Sequence, residues 1–251
     1  MALVTKEFAP KKPWKQKGII AAAAAAVAAV VVIVAVSGGD DTDSTTAADD
    51  TAAVTSTTSA PVSTAKGSLV PQIPSAAKSQ ADPDWLTAAP QGISWQRVDG
   101  VPLPFSASDG PTRIDGAVAE GYTRTPQGAV LAAIQIAMRL VFSPDFESVV
   151  AEQTAVSSDE RQQLIAARAG QPVINAEAVT AATMQPVAFK IGAYSDTDAT
   201  IYYAYPAQGD TYRIARMAVT WQDGDWKYTG RMSPDAPDLP ASADISSFTA
   251  L

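Results

Sequence analysis

The sequence predicts an α+β protein: a single N-terminal transmembrane helix, a disordered linker, and then helices packed on a curved, cone-like antiparallel sheet. Three observations predict it. Residues 19–36 are all Ala, Val or Ile, and residues 37–80 hold almost no large apolar side chain. Beyond Trp85 an apolar period near 3.6 gives way, from 187 onward, to the alternation of strands.

Residues 1–17 form a basic tail with five lysines against Glu7, a charge of +4 in a chain whose total is -8. The apolar run that follows (18–36 with Gly18) spans roughly 27 Å as a helix, enough for a hydrocarbon core of about 30 Å. Lysines before it and Asp40, Asp41 and Asp43 after it place the N-terminus in the cytoplasm and the C-terminal domain outside, a single-pass protein of the cell membrane. A cleaved signal peptide is the rival reading, since Ala35, Val36 and Ser37 offer small residues at a cleavage site. The run exceeds the usual h-region of about 7 to 15 residues, which favours an uncleaved anchor. Without cysteine a lipoprotein anchor is excluded. Ala21, Ala25 and Ala29 make a small-residue stripe that would allow a homo-oligomer, although an Ala-rich span produces that spacing by composition alone. The Ser/Thr/Ala/Asp-rich stretch 37–80 cannot bury enough surface to offset its ordering entropy, so it reads as a linker, plain or O-glycosylated, with a reach of roughly 35 to 40 Å.

The extracytoplasmic domain is read over 81–240, with 241–251 as a C-terminal tail. Its lead-in, 85–125, is rich in Pro and Gly, with extended pieces at 93–95 and 101–105. Thr125 followed by Pro126 starts a helix whose apolar face is Val130, Ile134, Met138 and Val141. Ser143 and Pro144 repeat the start signal for a short helix burying Phe146, Val149 and Val150. Ser157 or Ser158 caps a third helix that turns Leu164 and Ile165 inward and stops at Gly170, and a short Ala-rich helix follows Asn175. Strands are expected at 187–194, 200–205, 212–221 and 226–231, the last two joined by a hairpin turn through Asp223 and Gly224.

Composition narrows the chemistry. With no cysteine and no histidine there is no thiolate nucleophile, no Ser-His-Asp relay and no Cys or His metal site. Residues 81–251 hold 11 basic against 20 acidic residues, which opposes nucleic-acid binding. Asp196, Asp198 and Thr200 reproduce the DxDxT spacing of aspartyl-phosphate phosphatases, but they lie between two antiparallel strands, where Asp and Thr are ordinary turn residues. The linker acids lack the Gly and Glu of a calcium loop, and Gly110, Gly116, Gly121 and Gly128 form no phosphate-binding pattern. No catalytic residue, cofactor or metal is assigned. The candidates for a pocket or a partner-binding face are Tyr122 and Arg124, ahead of the first helix, and Tyr203, Tyr205, Trp221 and Trp226 on the sheet. Most sheet aromatics are expected to be core.

Asp109, Gly110, Pro111, Thr112, Gly116, Gly121, Tyr122, Thr125, Gly128, Ala129, Ala132 and Ala133 carry a resemblance. They are similar to the signature of a family of actinobacterial membrane-anchored proteins often associated with integrative or conjugative elements. The likeness covers roughly residues 90–235 and implies no activity. The plan of tail, span, linker and external domain also resembles the bitopic scaffold proteins of type IV secretion and conjugation systems, whose external domain has the nuclear-transport-factor-two-like fold. The expected function is therefore a non-enzymatic scaffold or accessory subunit of a conjugation-type envelope complex, with other envelope proteins as partners. The alternative is a membrane-tethered module that holds a lipid or other small apolar molecule among the sheet aromatics. A carboxylate-and-tyrosine enzyme would need an acid deep in a pocket beside a tyrosine.

Overall fold

The computed structural model describes residues 78–172 and 175–251. The basic tail, the apolar run and the linker up to 77 lie outside the described residues. Lys78, read above as linker, already bonds the Asp84 carboxylate at 2.8 Å, so the order of the domain reaches back past 81.

Two β-ribbons open the domain where the sequence suggested loops with short extended pieces. In the first, β1 (Ser94–Val98) pairs with β2 (Val101–Phe105) across Asp99 and Gly100. Their φ values of 51° and 85° are the pair of left-handed residues that a tight hairpin turn demands. In the second, β3 (Arg113–Asp115) pairs with β4 (Val118–Glu120), with an Arg113–Glu120 ion pair across the strands. Each of these strands is only three residues long, too short for a periodicity signal.

Helix α1 (Pro126–Phe142) starts as expected: Thr125 is the N-cap and its hydroxyl accepts from Gly128 N at 3.0 Å. The single apolar face expected for it is a correction, because all 17 of its residues are buried. The sheet covers one side of the helix, while β2, β4 and the next helix cover the rest. Three buried polar side chains on α1 serve the backbone around it. Gln127 Nε2 donates to the carbonyls of Trp85 and Ala88, Gln135 Nε2 to Pro104 O at 2.7 Å, and Arg139 Nη1 to Ala117 O at 3.0 Å. These bonds give partners to carbonyls of the lead-in and the ribbons that lie inside the domain.

Helix α2 (Phe146–Gln153) begins after Asp145 rather than at Ser143, which instead ends α1. Helix α3 (Ser158–Ala169) carries a full capping box between Ser157 and Glu160 and ends at Gly170. Helix α4 (Ala176–Ala182) is capped by Asn175.

The sheet has five strands in the order β8-β7-β6-β5-β9, antiparallel throughout: β5 (Ala188–Tyr194), β6 (Asp198–Pro206), β7 (Tyr212–Gln222), β8 (Asp225–Tyr228) and β9 (Thr249–Ala250). Ile201, Tyr203, Tyr205, Met217, Val219 and Trp226 join the core with α1. The opposite face is covered by the chain after β8. Ser233 N donates to Thr200 Oγ1, Tyr202 Oη to Pro237 O, and Arg216 to Ala236 O. The stretch 241–251 is accordingly no tail: it returns to the far edge, where Ala250 and Thr249 pair with Ala188 and Phe189. Two residues of strand give no alternating pattern to read. Among the described residues no helix is long and apolar enough to cross a membrane.

Candidate functional site

The six candidate residues divide into two groups. Tyr122, Tyr203 and Tyr205 are interior, at 4%, 0% and 1% exposure. Tyr203 Oη donates to Val130 O on α1, whereas the hydroxyls of Tyr122 and Tyr205 have no partner among the described residues. Burial pushes all three phenols well above their ordinary pKa. An unpartnered buried hydroxyl costs stability rather than adding to it. Tyr205→Phe is therefore expected to leave stability unchanged or raise it by about 1 kcal/mol, while Tyr203→Phe lowers it by about 1 kcal/mol; urea midpoints of the full chain check both.

Arg124, Trp221 and Trp226 come together at one end of the sheet. The Arg124 guanidinium sits 5.5 Å from the Trp221 ring centroid and its Nε donates to Asp196 O at 2.9 Å, tying the lead-in to both β7 and the β5–β6 turn. Trp221 meets Trp226 edge-on at 5.4 Å, Trp226 meets Tyr194 at 6.2 Å, and Tyr194 meets Trp85 edge-on at 6.4 Å. Trp226 is buried and its indole N–H donates to Thr123 O at 2.9 Å, while Trp85, Tyr194 and Trp221 keep part of their surface in solvent. The result is a rim of aromatic side chains with a cation stacked on it.

Asp225, which the sequence reading left out of its candidates, holds this rim in place. Its carboxylate accepts from Gly121 N at 2.8 Å, Tyr122 N at 3.2 Å and Trp226 N at 2.8 Å. Partial burial pushes its pKa up, and the three N–H donors act against that shift. With its oxygens committed to backbone, Asp225 braces 121–122 against the hairpin. Tyr194 and Trp85 were also missed as rim members; both are far in sequence from Trp221, and only the fold brings them together.

The residues behind the resemblance form a second node. Asp109 is 1% exposed and pairs with no cation among the described residues; Ser108 and Ser106 hydroxyls donate to one oxygen at 2.6 and 3.4 Å, and the Thr123 and Thr125 hydroxyls lie 3.1 and 3.4 Å from the other. Around it Gly110 and Gly128 let backbone segments touch, and Gly121 leaves room for the Thr112 side chain. Tyr122 and Arg124, neighbours ahead of α1, do not share a site: Tyr122 is core and Arg124 covers Trp221. The DxDxT loop is a turn, with Ser195 N donating to Asp198 O at 2.8 Å, Asp196 O taken by Arg124 and Thr200 Oγ1 taken by Ser233. Among the described residues no group of three acidic side chains stands close enough to hold a metal ion.

Fold and rim together define an α+β domain in which a five-stranded antiparallel sheet packs on a buried helix and carries an aromatic-arginine edge. The chain belongs to the family described as Domain of unknown function (DUF8175), which matches residues 59–250. No curated protein and no solved structure matches it.

Proposed function

We propose that the protein is a bitopic, non-enzymatic scaffold or accessory subunit of a cell-envelope complex of the conjugation type, acting through protein contacts made by the aromatic rim. The observation that carries this reading is the set Trp85, Tyr194, Trp221 and Arg124, half-exposed aromatic and arginine side chains on a braced platform. Trp, Tyr and Arg are the residues that most often anchor protein interfaces. The packing of Tyr203, Tyr205 and Trp226 at 0–1% exposure supports contact at the edge over uptake of an apolar ligand among them. Helices followed by an antiparallel sheet, here behind two β-ribbons, is the order this reading shares with a nuclear-transport-factor-two-like domain, and the basic tail and apolar run 18–36 supply the anchor in it.

A photo-crosslinking residue in place of Trp221, in the full chain expressed in its own cells, should capture other envelope proteins. Trp221→Ala and Arg124→Ala should each lower co-purification of those partners at least about fivefold, as expected for loss of an interface anchor worth 1–2 kcal/mol. A chain that crosslinks to nothing and purifies as a lone monomer overturns the proposal.

A further inference from the structure

A cleft of about 340 Å³ lies between the β5–β6 turn and the segment 231–235 that crosses the outer face of the sheet. That volume is at the lower end of the range of small-molecule sites. Its wall is fixed. Ser233 N donates to Thr200 Oγ1 at 3.1 Å, the segment just beyond is tied by Tyr202 to Pro237 and by Arg216 to Ala236, and Pro234 and Pro237 restrict the backbone between.

The charges in the cleft are notable for not meeting each other. Arg231, Asp198 and Asp235 all line it, yet no ion pair joins them. On the same crossing segment, outside the cleft, Arg216 does pair with Asp238, at 3.0 Å. Arg231 is steadied at its Nε, which donates to Thr229 Oγ1 at 3.3 Å, and its charge also acts on Glu160, outside the cleft; its two terminal nitrogens make no hydrogen bond or ion pair among the described residues. That is the edge of a guanidinium that accepts a carboxylate with two parallel bonds. The Asp235 carboxylate takes no hydrogen bond among the described residues, and Asp198 receives one, from Thr197 Oγ1 at 2.7 Å. Met232 and Ala193 add apolar surface to the lining.

We propose that this cleft binds a compact zwitterion, a free amino acid or short peptide, with its carboxylate on Arg231 and its ammonium on Asp235 and Asp198. A ligand with both signs satisfies groups of both signs in one step; an anion alone would face two carboxylates, and a cation alone would face Arg231.

The test is calorimetric titration of the full chain with alanyl-alanine, with N-acetyl-alanyl-alanine and with alanyl-alanine amide. The free dipeptide should bind saturably, and each blocked form should bind about tenfold more weakly, since a hydrogen bond to a charged group is worth about 1.5 kcal/mol or more. Arg231→Gln should cost about tenfold for the free dipeptide and nothing for the amide; Asp235→Asn should show the converse pattern with the acetylated form. Both side chains are exposed, so the variants should keep the parent melting temperature. Equal affinity for free and blocked dipeptides, or no heat from any of them at millimolar concentration, overturns the proposal.

Discussion

Gly128→Ala is expected to destabilise the domain by about 3 kcal/mol or more, although helix propensity alone predicts a gain of nearly 1 kcal/mol at this position in the first turn of α1. A Cβ built on Gly128 would stand 2.0 Å from the Thr123 carbonyl oxygen and 2.7 Å from the Thr123 hydroxyl. Neither can swing aside. The carbonyl accepts from the Trp226 indole, and the hydroxyl lies 3.1 Å from Asp109. Pushing Thr123 away would therefore break the seat of Trp226 as well as the hydroxyl cage around Asp109. Two other glycines separate space from conformation. Gly170, with φ of -77° and only ordinary contact at 3.5 Å, should accept Ala with a gain of up to about 1 kcal/mol. Gly224 has open space around it but φ of +85°, and Ala there should cost about 1 kcal/mol for the left-handed backbone alone. Urea denaturation of the three full-length variants, followed by tryptophan fluorescence, should rank them 170, 224, 128. A Gly128→Ala chain as stable as the parent would mean that Thr123 does not pack as described.

The elements with strong local signals were legible. Thr125 before Pro126, the Ser157–Glu160 box and the Asp223–Gly224 turn act within a few residues of chain, so α1, α3 and the β7–β8 hairpin stand where composition puts them. Ribbon β3–β4 and strand β9 were not legible. Their strands are two or three residues long, and what holds them is tertiary: Ala119 exchanges backbone bonds with the buried Gln153 amide, and Thr249 reaches Thr87 O. The full burial of α1 was hidden for another reason. Gln135 and Arg139, one turn apart, fall on the side of a helical projection away from Val130, Ile134 and Val141, while Gln127 falls among the apolar residues; only the carbonyls of the lead-in explain why an amide or guanidinium belongs inside. Half of the candidate site was legible too. Trp221 and Trp226 are cross-strand neighbours, readable from the hairpin register, whereas the arrival of Arg124 on Trp221 depends on Asp225 gripping Gly121 and Tyr122 across about a hundred residues of sequence. Tyr203 and Tyr205 face the core because the strand period that puts Ile201 inward puts residues 203 and 205 there as well.

The second large effect is expected at high pH, where the domain should unfold cooperatively within roughly one to three units above pH 10. Burial raises the phenol pKa of Tyr122, Tyr203 and Tyr205, and takes that of Tyr228 up to about 12. In the unfolded chain a tyrosine titrates near pH 10. Above that value the unfolded state releases protons that the folded state retains, so it binds fewer of them and stability falls as pH rises. The stabilisation is complete below pH 10 and is lost progressively as pH climbs toward the folded values. Each such tyrosine contributes a slope of about 1.4 kcal/mol per pH unit, and four together about 5 kcal/mol per unit, against a total stability of about 5 to 15 kcal/mol for a domain of this kind. The absence of cysteine and histidine removes the side chains that titrate between pH 5 and 9, so little pH dependence should precede the transition. Tyrosinate absorbance near 295 nm, an optical property of the phenolate itself, should rise in the same narrow interval in which tryptophan fluorescence reports unfolding. Tyr205→Phe, with no hydroxyl to ionise and none left unpartnered, should shift the alkaline midpoint upward while barely moving stability at pH 7. Smooth ionisation of all the tyrosines around pH 10, with native fluorescence intact, would contradict the placement of these four side chains beneath α1 and between the helices and the sheet.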